Sequence, residues 1–275
     1  MFTYITTTTV PSFPALEEKY NATLEQVNWT VAIPALGLSL GPLLWASPAD
    51  IIGRRPIFLL GTTMAFAATI GAALAKTYSS YMAARFFQGL GVSPAANVGL
   101  AIINDMFFEH ERGQKVGLWV LAIDLGLLFG PLIGGFVNIA GYAWIQWLSA
   151  IMFGVILIAE IAFLPETLYP RDLMLSETRR GPAALPSLDE KNPGSTAALA
   201  QIKKTKDLGL LNVMPVPGVR HPKVYDTPVR FVKTFKYAVV PISVMTYCFG
   251  WYWWVLSVVT LVPVAYETYT PQIQG

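Results

Sequence analysis

The sequence predicts an all-α protein threaded repeatedly through a membrane, and three observations carry that reading. Hydrophobic residues make up 54% of the chain and charged residues only 13%, whereas a soluble protein carries charge at about a quarter of its positions to cover its surface. Uncharged runs long enough to span a bilayer recur, because about 20 helical residues at ~1.5 Å each cross a hydrocarbon core of roughly 30 Å. Glycine and proline also sit inside these runs, as they do in helices that pack against one another in lipid.

Taken in order, residues 1–16 are apolar and threonine-rich, interrupted by Pro11 and Pro14. They are too few for a full span and lack the basic start of a signal peptide, so they read as the outer end of a helix whose beginning is missing. An acidic loop follows, with glycosylation sequons at Asn21 and Asn28, the second at the very edge of the next span. Residues 27–49 are an uncharged run and the first complete span, 57–75 a second, and 77–104 a third whose only charge is Arg85. Residues 116–143 form a fourth and 145–164 a fifth, separated by a turn too short to cross anything. From 165 to 236 the chain turns polar and proline-rich with 12 Lys and Arg, a linker without sustained apolar periodicity. An aromatic apolar run over 237–264 then makes a last span, and the chain ends without another.

Orientation follows from the basic residues. With the sequon-bearing loop outside, Arg54, Arg55, Arg112 and Lys115 lie in short cytoplasmic loops, while Lys19 and Lys76 lie outside. That arrangement also argues against a seven-helix receptor, whose first loop would be inside. The net charge of +2 gives no reason to invoke nucleic acid. The single Cys248 and the widely separated His110 and His221 provide neither a disulfide framework nor a metal site, and no cofactor is expected.

The stretch 117–135, GLWVLAIDLGLLFGPLIGG, holds Gly126, Gly130 and Gly134 four apart, a bare ridge that a second helix can approach backbone to backbone, with Pro131 inside it. Together with Gly117 and Gly135 it resembles the fifth-helix signature of major facilitator superfamily antiporters. Asp50, Gly53, Arg54 and Arg55 in SPADIIGRRP resemble the family's loop between the second and third helices. Two positions depart from it, Ala46 for a glycine and Ile51 for an arginine, which weakens the charge pair expected at Asp50. Arg85, Gln88, Gly89 and Gly91 in ARFFQGLG resemble its fourth-helix motif, DMFFEHERG the loop that follows, and LPET at 164–167 the end of the sixth helix.

These motifs place the chain as similar to the drug:proton antiporter branch, and PETLYPR and FGWYW are similar to fungal multidrug and polyamine exporters. The resemblance implies twelve helices in two six-helix halves with the solute bound between them. The chain would then supply an amino-terminal bundle (1–164, first helix incomplete), a cytoplasmic linker (165–236) and the first helix of the second half (237–275). It would be a fragment or truncated form that packs against a missing carboxy-terminal half. Its expected partners are a small organic or cationic solute, protons and the lipid bilayer, in the plasma membrane or else the vacuolar membrane. A facilitator importing a nutrient is the alternative, and no nucleophile–base pair or phosphate loop supports an enzyme. A charge at the depth of Arg85 is expensive, which marks it for function. Asp124 and Glu160 are the acids inside spans, and Asp124, off the glycine ridge, is a possible partner for Arg85.

Overall fold

A computed structural model of the chain describes residues 2–107, 109–164, 226–250 and 253. These are helical, with no strand among them. The first segment comprises α1 (Phe2–Thr7), a 3₁₀ turn (Val10–Ser12) and α2 (Phe13–Tyr20). It breaks at Pro11, which lacks the N–H needed to continue an α-helix. Five long helices follow: α3 (Leu24–Ile52), α4 (Arg54–Leu74), α5 (Tyr78–Met106), α6 (Glu109–Asn138) and α7 (Tyr142–Phe163). Each is long and apolar enough to cross a membrane. Two short helices, α8 (Asp226–Thr234) and α9 (Val239–Cys248), complete the described chain.

The starts of the long helices are set locally. Thr23 accepts from the Gln26 N–H while Gln26 caps the Thr23 N–H, a reciprocal capping box that opens α3. Thr77 opens α5 by accepting from Ser80. Between α3 and α4 stands the single residue Gly53 at φ 125°, a backbone conformation closed to residues with a Cβ, so the chain reverses there within one peptide. The linker expected over 165–236 is described only from Asp226 on, and there it holds α8. Lys233 lies in the last turn of that helix, the end at which the helix dipole favours a cation. Most of the linker, the PET of LPET and nearly half of the last expected span lie outside the described residues.

Polarity is inverted relative to a soluble bundle. Leu44, Leu60, Leu128, Phe136 and Ile158 are exposed, while Thr7, Thr9, Thr30, Thr69, Gln88, Gln146 and Ser149 are buried. The largest fully buried side chain is Arg85. Such a surface suits hydrocarbon, with the polar groups satisfied among the helices.

Small residues let the helices meet. A Cβ at Gly91 would lie 2.6 Å from the Ala65 nitrogen on α4, and one at Gly89 2.8 Å from the Pro34 carbonyl carbon on α3. Two positions apart on a helix point to nearly opposite sides, so this pair fits α5 between α3 and α4. The ridge on α6 receives α1: a Cβ at Gly130 would lie 3.2 Å from the Tyr4 carbonyl oxygen, and one at Gly134 3.1 Å from the Thr8 carbonyl carbon. Gly117 and Gly135 face open space among the described residues.

Five prolines inside long helices each leave the carbonyl four residues earlier without its helical donor, and three of those carbonyls accept from another helix. Pro34 frees Thr30, which accepts from Arg85 at 3.3 Å. Pro94 frees Leu90, which accepts from the Trp45 indole at 3.0 Å. Pro131 frees Leu127, which the Thr7 hydroxyl reaches at 3.4 Å.

Candidate functional site

Arg85 sits two turns into α5 and is 1% exposed, so it does not reach for the membrane surface. Its guanidinium donates from Nη1 to Gln88 Oε1 at 2.8 Å and from Nη2 to the Ile5 carbonyl and Thr9 Oγ1, both at 3.0 Å. Nε and Nη2 also share the Thr30 carbonyl. Gln88, itself fully buried, passes the contact on by donating to Thr69 Oγ1 at 2.8 Å, and Thr69 donates to the Ala65 carbonyl at 2.7 Å. One side chain thus ties α5 to the first segment, to α3 and, through Gln88, to α4.

Every one of these acceptors is neutral. A buried guanidinium held by carbonyls and a hydroxyl keeps its full charge, and carbonyl dipoles offset only part of the solvation it has lost. Asp124, the acid weighed as its partner, is not among them. It lies half-buried on α6 and makes no hydrogen bond or ion pair among the described residues. The Arg85 box therefore presents net positive charge inside an apolar bundle.

The other sequence candidates fall elsewhere. Asp50, Arg54 and Arg55 surround the Gly53 reversal; Arg54 is buried, and Arg55 donates to the Ile161 carbonyl of α7 at 2.9 Å. Glu160, on the last turns of α7, accepts from Thr62 Oγ1 of α4 at 3.0 Å. Neither acid meets Arg85. Asn21 is exposed at the end of α2 with φ 46°, whereas Asn28 lies within α3 and the Thr30 of its sequon is buried. Among the described residues no group of three or more His, Cys, Asp or Glu forms a metal site.

Sequence reasoning missed the polar residues that complete the box, Thr9, Thr30 and Thr69. It also missed an outer cluster in which Lys19 donates to the Tyr142 hydroxyl, to Tyr20 at 3.2 Å and to the Ala75 carbonyl at 3.1 Å. The available signal was position: Thr30 stands four residues before Pro34, where a freed carbonyl is to be expected.

The family model for the Major Facilitator Superfamily matches residues 1–275. The chain belongs to the Major Facilitator Superfamily. It is 38% identical over 158 residues to Multidrug transporter QDR2 of Candida glabrata, covering 57% of this chain and 27% of that protein. It is 34% identical over 162 residues to Citrate exporter 1 of Aspergillus niger, covering 58% of this chain and 31% of that protein. The chain thus spans about a third of the length of the curated relatives it matches. The crystal structure of a D-xylose-proton symporter shares the fold, with a TM-score of 0.54 at 16% identity over 96% of this chain and 75% of that one. The chain is a multi-pass membrane protein of this superfamily, a family of transporters and not of enzymes.

Proposed function

We propose that this chain is the amino-terminal part of a proton-coupled exporter of small organic or cationic solutes, resident in the plasma membrane. One observation carries the reading: Arg85, fully buried and matched only by neutral acceptors from the first segment, α3 and α5, is a fixed positive charge that responds to any acid or solute charge brought against it. The similarity to a multidrug transporter and a citrate exporter supports export of organic solutes.

Alternating access requires a second bundle. The face for it is supplied by α6, on which Leu118, Leu121, Leu125, Leu132 and Phe136 are exposed beside the open Gly117 and Gly135. That face takes the carboxy-terminal half, and the α1–α6 seam holds the ridge glycines behind it. The test is solute exchange in proteoliposomes containing both halves, with and without an imposed proton gradient. Solute movement accelerated by an opposing proton gradient is the expected result; movement indifferent to the gradient overturns the reading.

A further inference from the structure

A cavity of ≈ 40 Å³ lies between α4, α5 and α7, lined by Phe58, Thr62, Val92, Pro94, Phe153 and Glu160 among others. That volume accommodates a water molecule. Its wall is apolar apart from one carboxyl and one hydroxyl. Thr62 Oγ1 donates to Glu160 Oε1, while Oε2 is buried and has no hydrogen-bond partner among the described residues.

No charged group with a described side chain on the three helices forms an ion pair with Glu160 among the described residues. On α4, Arg54 and Arg55 occupy the first turn, and Arg55 donates to the carbonyl of Ile161, not to the carboxyl beside it. On α5, Arg85 is committed to the first segment, α3 and Gln88, and the Tyr81 hydroxyl accepts from Gln146 at 3.2 Å. On α7, Tyr142 lies at the opposite end, with Lys19. No ion pair joins Glu160 to any of them among the described residues. An ionised carboxylate with one neutral donor and no cation is a poor occupant of such a place, and a proton is the smallest cation that completes it.

We propose that Glu160 binds and releases a proton at Oε2 in this cavity, a titrating centre separate from the fixed charge of the Arg85 box. The proton passes to and from cavity water on the side of the bundle where Arg54 and Arg55 lie. Because the Thr62–Glu160 hydrogen bond joins α4 to α7, the charge on the carboxyl sets how firmly those two helices are held together. Its use in a transport cycle rests on the proton-coupled reading above, whereas the binding of the proton does not.

The experiment uses the chain in lipid nanodiscs, treated with dicyclohexylcarbodiimide, an apolar reagent that adds to a protonated carboxyl and leaves a stable N-acylurea. Peptide mass spectrometry reads the product. Glu160 is expected to be modified at mildly acidic pH and to lose the modification progressively towards alkaline pH, and Glu160→Gln to remove it. Ala95→Leu, which fills the cavity but keeps the carboxyl, is expected to suppress it in protein that still elutes as a single folded species. An unmodified Glu160 across the whole pH range, or modification equal at every pH, overturns the proposal. Proton-driven exchange by the two-half protein separates the two claims. Gradient-independent transport with pH-dependent labelling defeats the transport reading alone; gradient-driven transport with an unlabelled Glu160 defeats this one alone.

Discussion

Arg85 donates to the carbonyl of Thr30 from both Nε and Nη2, at 3.3 Å each. Thr30 is the residue that Pro34 deprives of its helical donor, so the cation of α5 fills a vacancy built into α3. Arginine suits this place because its planar fork reaches several acceptors at once, which lysine cannot copy. Arg85→Ala should strand four acceptors, each at a cost of about 1–3 kcal/mol before water enters, and should abolish solute exchange. Arg85→Lys should keep the charge, lose most of the contacts and cut exchange severely. Thermal unfolding and proteoliposome flux measure the two effects, and parental flux in both variants would reduce the residue to a packing element.

The proline offers a separate check on the same contact. Pro34→Ala restores an N–H within α3 that competes for the Thr30 carbonyl. We expect little change in unfolding temperature, because one donor replaces another, but reduced transport as Arg85 loses an anchor. A marked fall in stability would show that the restored helical donor does not take over that carbonyl.

On α6, Gly130→Leu and Gly134→Leu should each drive a side chain into α1, where Tyr4 and Thr8 leave no room. Overpacking of this kind costs about 1–3 kcal/mol. Gly117→Ala and Gly135→Ala, which meet open space in this bundle, should leave its unfolding temperature near the parental value. Equal destabilisation in all four variants would contradict the one-sided ridge.

Lys19 gives a pH dependence. Partial burial lowers its pKa, but hydrogen bonds to Tyr142 and Tyr20 and the nearby phenols outweigh that, so the value lies above the ordinary 10.5. A raised folded-state value means that the stability from Lys19 is fully present below 10.5 and is lost as pH rises through the folded value. The unfolding temperatures of the parent and Lys19→Met should therefore differ by a constant amount through neutral pH and converge only under strongly alkaline conditions. Convergence near neutrality would remove Lys19 from the α2–α7 contact.

Asn21 is exposed beyond α2, while Asn28 is held in α3, a helix long and apolar enough to cross a membrane. Expressed with secretory membranes, the chain should carry one glycan, removed by Asn21→Gln and unaffected by Asn28→Gln. A gel-mobility shift on glycosidase treatment reads the result.

The spans were legible because apolar runs are local features; the Thr23–Gln26 box and the Thr77 cap are equally local but were not read from the sequence. Arg85 was legible as a cost: a charge in an apolar run has to be matched somewhere. Its partners were not, because Thr30 and Ile5 contribute backbone carbonyls, which every residue possesses and no side-chain pattern records. Asp124 is an acid in a span, yet an acid on α6 that makes no hydrogen bond or ion pair to α5 among the described residues carries no sequence mark to distinguish it from one that does. The first segment read as incomplete by length alone; its threonines proved to matter through contacts with α6 some 120 residues away, Thr3 to Ile123 and Thr7 to Leu127. Helix α8 escaped notice because nine residues in a polar stretch carry too little periodicity.

The interlocked prolines also constrain biogenesis. A ribosome delivers α3 before α5, so the carbonyl of Thr30 enters the bilayer unmatched and the guanidinium of Arg85 follows with Gln88 alone to accept from it on its own helix. Each helix is a poor passenger alone, and together they cancel each other's defect. The insertion machinery should therefore retain α3 until α5 emerges and release them as a pair. Nascent chains arrested between Leu74 and Tyr78 should crosslink to the translocon through α3 in the parent and lose that crosslink when Pro34 is replaced by alanine.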